Sequence, residues 1–284
     1  MAHGLVVVTG GGTGIGRGLV HHYSVTHHVI ACGRRLDRLQ ETQRSAPRPS
    51  AVTIIQCDIG QEAGRAALVA AVPEEQIYLL VQNAAIGDPG NFEEVPVEHL
   101  EESFRVNVVA PMALAKALLP KLRGGGRILH LGTGVAHMPQ RGTLVYGVTK
   151  MAFHRLYRQL NAEDLGVPVG SMSPGLVDTE GVQDHVSKAR ALQLPHVAFF
   201  DKAFESNWTT DMQELMKFVD KLMSLDDATF ISKEWRFSEW RQEVAKAQKA
   251  SAGEGRALAP AAIGAALATA VGVMIGYRVL RSRL

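Results

Sequence analysis

The apolar positions of this chain fall into short runs that alternate with longer amphipathic stretches. Six runs are rich in apolar and β-branched residues and end at polar or glycine residues: 5–8, 29–32, 53–56, 77–82, 127–131 and 167–171. Such runs are typical of parallel strands that are buried on both faces. Helical stretches between them predict an α/β fold with a doubly wound parallel sheet of the Rossmann type. A seventh strand is expected near residues 229–232, which gives a sheet of about seven strands.

A glycine-rich segment follows the first predicted strand directly. It reads Thr9-Gly10-Gly11-Gly12-Thr13-Gly14-Ile15-Gly16, and the residues after it fit a helix. A strand, a glycine turn and a helix together favour pyrophosphate binding, because glycines let the backbone approach and the helix N-terminus offers N–H groups. The spacing Gly10-x-x-x-Gly14-x-Gly16 differs from the commoner G-x-G-x-x-G pattern. A plain glycine-rich turn is the alternative interpretation.

Two arginines follow the second predicted strand. Arg34 and Arg35 stand where a dinucleotide-binding fold faces the adenosine ribose. An acidic residue at this point would hold a 2′-hydroxyl, whereas guanidinium groups suit a 2′-phosphate. The sequence therefore favours NADP(H) over NAD(H) as cofactor. The alternative is a pair of solvated surface arginines.

Tyr146 and Lys150 form the candidate catalytic pair. They are four residues apart, so on a helix they share one face. An ammonium beside a phenol favours the phenolate, and Lys150 is therefore expected to lower the pKa of Tyr146. Tyr146 is then a candidate proton donor or acceptor near neutral pH.

With these features in place, the chain resembles the short-chain dehydrogenase/reductase family from about residue 5 to about residue 178. The glycine segment is similar to the family's T-G-x-x-x-G-x-G, and the Tyr146–Lys150 pair to its Y-x-x-x-K. Four further segments match the family. Asp58 corresponds to the acid that contacts the adenine, and Asn83-Ala84-Ala85 to the stretch that closes the cofactor site. Asn107 corresponds to the asparagine that orders a relay water, and Pro174-Gly175-Leu176-Val177-Asp178-Thr179 to the P-G-x-x-x-T near the nicotinamide carboxamide. The chain is also loosely similar to the branch of the family that contains sepiapterin and benzil reductases. This similarity does not identify a substrate.

One position departs from the family pattern. A serine usually stands thirteen residues before the tyrosine, and this chain has Thr133 there. Its hydroxyl still offers a hydrogen bond to a substrate carbonyl, so the resemblance assigns Thr133 the same role. The alternative is a loop threonine with an impaired proton relay.

The resemblance also implies a mechanism, in which a hydride moves between nicotinamide C4 and a carbonyl carbon. Thr133 and Tyr146 would polarise the carbonyl oxygen, and Tyr146 would deliver the proton. Lys150 would bind the nicotinamide ribose, and Asn107 would connect Lys150 to solvent through a water. The cofactor supplies the chemistry, and the protein positions and polarises the reactants.

Length and composition limit the class of protein. The 284 residues fit one domain, predicted over 1–243, and a net charge of +2 is too close to neutral to indicate nucleic acid. Cys32 and Cys57 lie in or beside predicted strands, which fits a reducing compartment without disulfides. No secretory signal is expected, because the first apolar run is the nucleotide-binding strand.

Two histidine pairs suggest a metal site. His21-His22 and His27-His28 fall at the end of the first predicted helix and in the turn after it. No cysteine or carboxylate joins them at ligand spacing, so we interpret them as solvated histidines and predict no metal site.

Residues 181–218, called the cap segment below, follow the P-G motif without a clean period. The segment contains aromatic side chains, and in the family that it resembles this region covers the substrate. An apolar or aromatic carbonyl substrate is one interpretation. An ordinary pair of helices packed on the sheet is the other.

The C-terminus predicts a membrane anchor. Residues 257–277 carry no charge over 21 positions, and as a helix they would be about 30 Å long, enough to cross a bilayer. A linker at 244–256 precedes them and a basic tail at 278–284 follows. A tail anchor that leaves the catalytic domain in the cytosol is expected, at a mitochondrial outer, endoplasmic reticulum or peroxisomal membrane. Alternatives are an Ala/Gly helix outside a membrane, or peroxisomal targeting by Ser282-Arg283-Leu284.

Three functions follow from these features. The leading one is an NADPH-dependent carbonyl reductase that acts on a small-molecule ketone, aldehyde or diketone. The second is oxidation of a lipid, retinoid or steroid alcohol, and the third is an NADPH-binding sensor or scaffold with little turnover. A homo-oligomer is possible in each case, and no nucleic-acid partner is expected.

Overall fold

The computed structural model describes residues 4–74 and 76–254. The described residues divide into two units, the first up to Glu239 and the second from Trp240, and residues 240–254 of the second unit are helical. The predicted membrane span at 257–277 and the basic tail lie outside the described residues. Within the described ranges, no helix combines the length and the apolar character that crossing a membrane requires.

The first unit contains one parallel sheet of seven strands. The strands are β1 (Leu5–Thr9), β2 (His28–Gly33), β3 (Val52–Gln56), β4 (Ile77–Gln82), β5 (Arg127–Leu131), β6 (Val169–Ser173) and β7 (Glu234–Arg236), in the spatial order β3-β2-β1-β4-β5-β6-β7. The chain order reverses between β1 and β4, and ligands of such sheets bind beyond the carboxyl ends of the strands at that point. The predicted Rossmann-type sheet is confirmed.

Helices connect the strands, and those of the first unit cover both faces of the sheet. They are α1 (Gly14–Ser24), α2 (Leu36–Ser45), α3 (Glu62–Ala71), α4 (Val97–Phe104), α5 (Ala110–Leu122), α6 (Leu144–Ala162), α7 (Glu180–Ala191), α8 (Val197–Glu205), α9 (Met212–Met223), α10 (Asp227–Phe230) and α11 (Phe237–Glu254). A π-helical turn at Arg105–Val109 joins α4 to α5. Because both faces are covered, the middle of β1 (Val6, Val7 and Val8) is completely buried.

The structure corrects the last strand. The strand expected at 229–232 is instead part of α10 and the turn after it, because the Asp226 carboxylate accepts the Thr229 N–H at 2.9 Å and caps this short helix. The strand follows as β7. The sixth strand begins at Val169, two residues later than predicted, since Pro168 has no N–H for the sheet.

The histidine interpretation is wrong for one of the four residues. His27 is only 8% exposed, and its ring stacks on that of Tyr78 with centroids 4.8 Å apart. His22 stays partly exposed and bonds the Asp220 carboxylate at 2.7 Å.

Candidate active site

Thr9 and Asn83 fix the ends of the two central strands to each other. The Thr9 hydroxyl accepts the backbone N–H of Asn83 at 3.1 Å and that of Ala84 at 3.2 Å. The Asn83 amide in turn donates to the carbonyls of Thr9, at 2.9 Å, and Gly10, at 3.1 Å. The loop after β1 is therefore held against the loop after β4, where Ala84 and Ala85 are partly exposed.

The glycine loop has the shape that a pyrophosphate requires. Gly10 and Gly14 have φ angles of +69° and +54°, and a Cβ at Gly16 would lie 2.0 Å from the Gly10 carbonyl oxygen. Thr13 precedes α1 in an extended conformation and makes no side-chain cap bond. The N–H groups that open α1, from Gly14, Ile15 and Gly16, thus remain available to an anion, and the loop fits a dinucleotide phosphate.

The part of the site after β2 carries several arginines, and two of them form ion pairs with one carboxylate. Arg34 is exposed, and Arg35 Nη1 lies 2.6 Å from Glu180 Oε1, the first residue of α7. Arg38 Nη2 lies 3.4 Å from the same carboxylate oxygen. Arg38 was not predicted from the sequence, because only the fold of α2 brings its side chain to this point.

Arg17 and Thr42 form a second unpredicted support, behind the glycine loop. Arg17 Nη2 and the Thr42 hydroxyl donate to the Gly12 carbonyl at 2.9 and 3.0 Å. Arg17 also pairs with Glu41 at 2.9 Å. These bonds join the loop to α2 and hold Gly12 in place.

Asp58 lies two residues after the carboxyl end of β3, and the adenine contact that the resemblance implies for it stays a prediction. Its Oδ1 accepts the N–H of Gly60 at 2.9 Å, so the carboxylate stabilises the turn that contains Asp58 and Gly60. Cys57, beside it, is buried and is a free thiol, as is Cys32.

Asn107 sits in the π-helical turn between α4 and α5. Its amide exchanges two hydrogen bonds with the backbone of Ile86, at 2.8 and 2.6 Å, and donates to Thr149 Oγ1 at 2.9 Å. Single π turns occur frequently at functional sites. Here the turn ties the loop after β4 to the helix that carries Lys150.

Tyr146 and Thr133 are brought together at the carboxyl end of β5. Burial raises the pKa of Tyr146 to about 12, and a hydrogen bond with the Thr133 side chain acts in the opposite direction. The prediction that Lys150 lowers this pKa is wrong for this structure, because burial and the Thr133 hydrogen bond set the pKa and burial outweighs the bond. Gly87 packs closely on Tyr146, since a Cβ there would lie 2.8 Å from the Tyr146 Cβ.

Lys150 is buried one helical turn after Tyr146 on α6. Its ammonium donates to the Leu131 carbonyl at 2.5 Å and lies 4.4 Å from the centre of the Phe153 ring. Burial lowers the pKa of Lys150 to about 7, while the charge of Glu234 acts to raise it. The lysine is thus held by strand β5 and by its own helix.

The P-G segment, residues 174–179, follows β6 and reaches the glycine loop. Gly175 has a φ of +75°, and Thr210, which the sequence did not indicate, donates to the Pro174 carbonyl at 2.9 Å. Val177 is buried. Thr179 accepts the Val182 N–H at 3.3 Å as the cap of α7, and its methyl lies 3.0 Å from where a Gly14 Cβ would be. Thr179 therefore adjoins the glycine loop.

The cap segment forms α7, α8 and the start of α9. Its histidines bond each other, with His185 Nε2 3.1 Å from His196 Nε2, and His196 Nδ1 lies 3.0 Å from the Arg141 carbonyl. Phe199 and Trp208 are 48% and 59% exposed and contact each other edge to face. These two side chains form an exposed apolar patch on the cap segment.

A glycine loop at the switch point of a parallel sheet, together with a Tyr–Lys pair and a threonine, defines a dinucleotide-dependent oxidoreductase. The family model for short chain dehydrogenase matches residues 4–190. The chain belongs to the short-chain dehydrogenase family.

Relatives of the chain agree with this assignment. It is 32% identical over 184 residues to the NADP-dependent 3-hydroxy acid dehydrogenase YdfG of Escherichia coli K12, covering 61% of this chain and 72% of the relative. A solved short chain dehydrogenase/reductase family protein is 30% identical with a TM-score of 0.61, covering 66% of this chain and 80% of the other. The alcohol dehydrogenase of the archaeon Thermococcus sibiricus, solved with 5-hydroxy-NADP, is 25% identical with a TM-score of 0.58, covering 61% and 77%.

Proposed function

We propose that the chain is an NADP(H)-dependent carbonyl reductase that converts a ketone, aldehyde or diketone to an alcohol. The observation that carries this proposal is the hydrogen bond between the Thr133 and Tyr146 side chains, with the buried Lys150 one helical turn after Tyr146 on α6. Two hydroxyl groups that meet at one point can bind one carbonyl oxygen, and the glycine loop lies across the carboxyl ends of the same sheet.

Each residue has a separate task in this reaction. NADPH, when bound, supplies the hydride to the carbonyl carbon. Thr133 donates a hydrogen bond to the carbonyl oxygen, and Tyr146 gives that oxygen its phenolic proton. A pKa of about 12 keeps Tyr146 protonated at neutral pH, as an acid in the reductive direction must be. Lys150 holds the nicotinamide ribose. Asn107 fixes α6, the helix that carries Lys150, to the loop after β4.

The preference for NADP(H) rests on the arginines beside β2. Arg35 and Arg38 converge on one carboxylate oxygen of Glu180, and a 2′-phosphate offers the same kind of acceptor. The relative from Escherichia coli is named as NADP-dependent. No acidic side chain follows β2 directly to hold a 2′-hydroxyl.

The experiment is NADPH and NADH oxidation by the full-length chain with a panel of carbonyl compounds. Diketones and pterins test the likeness to benzil and sepiapterin reductases, while quinones, aromatic aldehydes and retinoids sample apolar substrates. Turnover with NADPH supports the proposal. Tight NADPH binding without turnover of any compound would contradict it and favour a sensor. Faster oxidation of a steroid or retinol with NADP⁺ would favour the dehydrogenase direction.

We also propose that residues 257–277 anchor the enzyme in a membrane with the catalytic unit in the cytosol. The uncharged length and the basic residues after it support this. Alkaline extraction of membranes from cells that express the full chain should leave it in the pellet, and a chain that ends at Lys249 should be released. Release of both would contradict the anchor. Imaging of the tagged chains then distinguishes mitochondrial, endoplasmic reticulum and peroxisomal membranes.

A homo-oligomer is proposed as well. Val109 and Met112 on the α5 side, and Val148 and Met151 on α6, are each between 41% and 53% exposed. Apolar side chains of this exposure on adjacent helices fit a self-complementary interface. Light scattering should give a dimer or tetramer that Met112→Glu converts to a monomer, and a monomeric wild type would contradict it.

A further inference from the structure

His137, His154 and Glu234 converge at one point beside the catalytic helix. His137 comes from the segment after β5, His154 from α6 and Glu234 from β7. One ligand atom from each lies within 4.8 Å of the other two. Among the residues that the structure describes, this is the group of histidine, cysteine and acidic side chains placed to hold a metal ion.

The ligand atoms of the three side chains are close enough to bind the same metal ion. His137 Nε2 lies 2.9 Å from Glu234 Oε2, and His154 Nδ1 lies 3.4 Å from Glu234 Oε1. In a tetrahedral site with metal–nitrogen bonds of about 2.0–2.1 Å, ligand atoms are roughly 3.3–3.5 Å apart. The buried His154 Nδ1 has no hydrogen-bond partner with good geometry among the described residues. A metal ion would satisfy this atom.

The carboxylate is held in place by its surroundings. The Glu234 side chain is only 6% exposed. The Ser171 hydroxyl donates to Glu234 Oε1 at 3.3 Å. A Cβ at Gly132 would lie 2.1 Å from that same oxygen, so only glycine leaves room for the carboxylate. An acid oriented in this way by its neighbours is typical of metal ligands.

We propose that His137, His154 and Glu234 bind a Zn²⁺ ion with one coordination position left for water. Two imidazoles and one carboxylate form a donor set that zinc accepts, whereas Mg²⁺ and Ca²⁺ require oxygen ligands. The His137 side chain is 26% exposed, which provides an entry path. None of the three ligands is among the residues assigned to hydride or proton transfer, so zinc binding can be measured without turnover.

The position of the site gives zinc an influence on the active site. His137 is four residues after Thr133, Gly132 contacts Glu234, and His154 is one helical turn after Lys150. A bound ion would therefore tie the segment that carries Thr133 to α6 and β7. We expect it to raise the thermal unfolding midpoint and to restrict the motion of Thr133.

The test is calorimetric titration of Zn²⁺ into the full-length chain after removal of metals with a chelator. Wild type should bind one equivalent. His137→Gln and Glu234→Gln should each weaken binding by more than about 100-fold, because loss of a residue that merely orients a ligand costs roughly 10- to 100-fold. His22→Gln is the matched control, since His22 also contacts a carboxylate, at 2.7 Å from Asp220, and should bind zinc as wild type does.

Thermal unfolding with and without zinc provides a second measurement. The midpoint of wild type and His22→Gln should rise with zinc, and that of His137→Gln should not. If Glu234→Gln does not fold, the result for His137→Gln decides the outcome, because His137 is partly exposed and lies outside the helices and strands that form the core. Absence of saturable binding to wild type, or unchanged affinity in both His137→Gln and His154→Gln, would overturn the proposal.

Discussion

Arg35 Nη1 lies 2.6 Å from Glu180 Oε1, so an acid from the start of α7 pairs with an arginine that is proposed to bind the cofactor phosphate. The pair links the two sides of the dinucleotide site. Because both side chains are about half exposed, the ion pair itself contributes little stability.

Glu180→Gln should tighten NADPH binding, because Arg35 and Arg38 would no longer be shared with a carboxylate. An increase in affinity of roughly two- to fivefold is expected, since exposed ion pairs are worth about 1 kcal/mol or less. NADH affinity should stay constant. Fluorescence titration at two salt concentrations measures both, with Asp201→Asn as control because Asp201 forms a comparable pair with Arg190 at 2.6 Å. Weaker NADPH binding would show that Glu180 supports the site.

The double variant Arg34→Ala, Arg35→Ala should show the opposite effect. NADPH affinity should fall by roughly tenfold or more, because charge-assisted bonds to the 2′-phosphate are lost. NADH should bind as before. Arg155→Ala, which removes an exposed arginine of α6, is the control in the same titration. An equal loss for both cofactors would remove these arginines from phosphate recognition.

Thr133→Ser should keep or raise reductase activity, since the hydroxyl is retained. Thr133→Ala should lower kcat by roughly 100-fold, which is the typical cost of removing one donor to a developing oxyanion. Steady-state kinetics with the best substrate of the panel separates kcat from KM. A large loss in Thr133→Ser would mean that the threonine methyl is required for packing.

Lys150→Met should stabilise the protein at neutral pH. The pKa of Lys150 is lowered from 10.5 to about 7, so between these values the unfolded chain binds a proton that the folded chain does not. Folding stability therefore rises with pH across this window, and the full penalty for the buried ammonium is present below pH 7. The variant should be more stable than wild type by at least about 1 kcal/mol at pH 7, even without the bond to Leu131. The difference should shrink towards pH 10.

Urea unfolding of the full-length chain between pH 6 and pH 9.5 measures this difference. Met is similar in length to Lys and fills the same apolar space, and activity should be lost. A variant less stable than wild type at pH 7 would show that the ammonium contributes more through its contacts than its burial costs.

The sheet could be predicted because its strands are apolar on both faces, and β1, β4 and β5 lie within one residue of their expected bounds. The motif residues were expected from the family resemblance, and the structure brings Thr9, Asn83 and Thr179 together around the glycine loop. The strand β7 is only three residues long, and its pattern is too short to separate from the capped turn of α10. Its place depends on pairing with β6.

Other parts of the site depend on tertiary contacts. The pKa of Tyr146 is set by burial, and burial cannot be read from the four-residue spacing between Tyr146 and Lys150. Arg38 and Glu180 meet across 142 residues of sequence. Glu234 is 97 residues from His137, so no ligand spacing indicates the proposed zinc site.

Tyr146→Phe tests the central claim most directly. The phenylalanine keeps the ring and removes only the proton donor, so kcat for carbonyl reduction with NADPH should fall by at least roughly 100-fold. The Kd for NADPH, measured by fluorescence on the same sample, should be unchanged. Turnover within a few fold of wild type would contradict the account, because some other group would then deliver the proton.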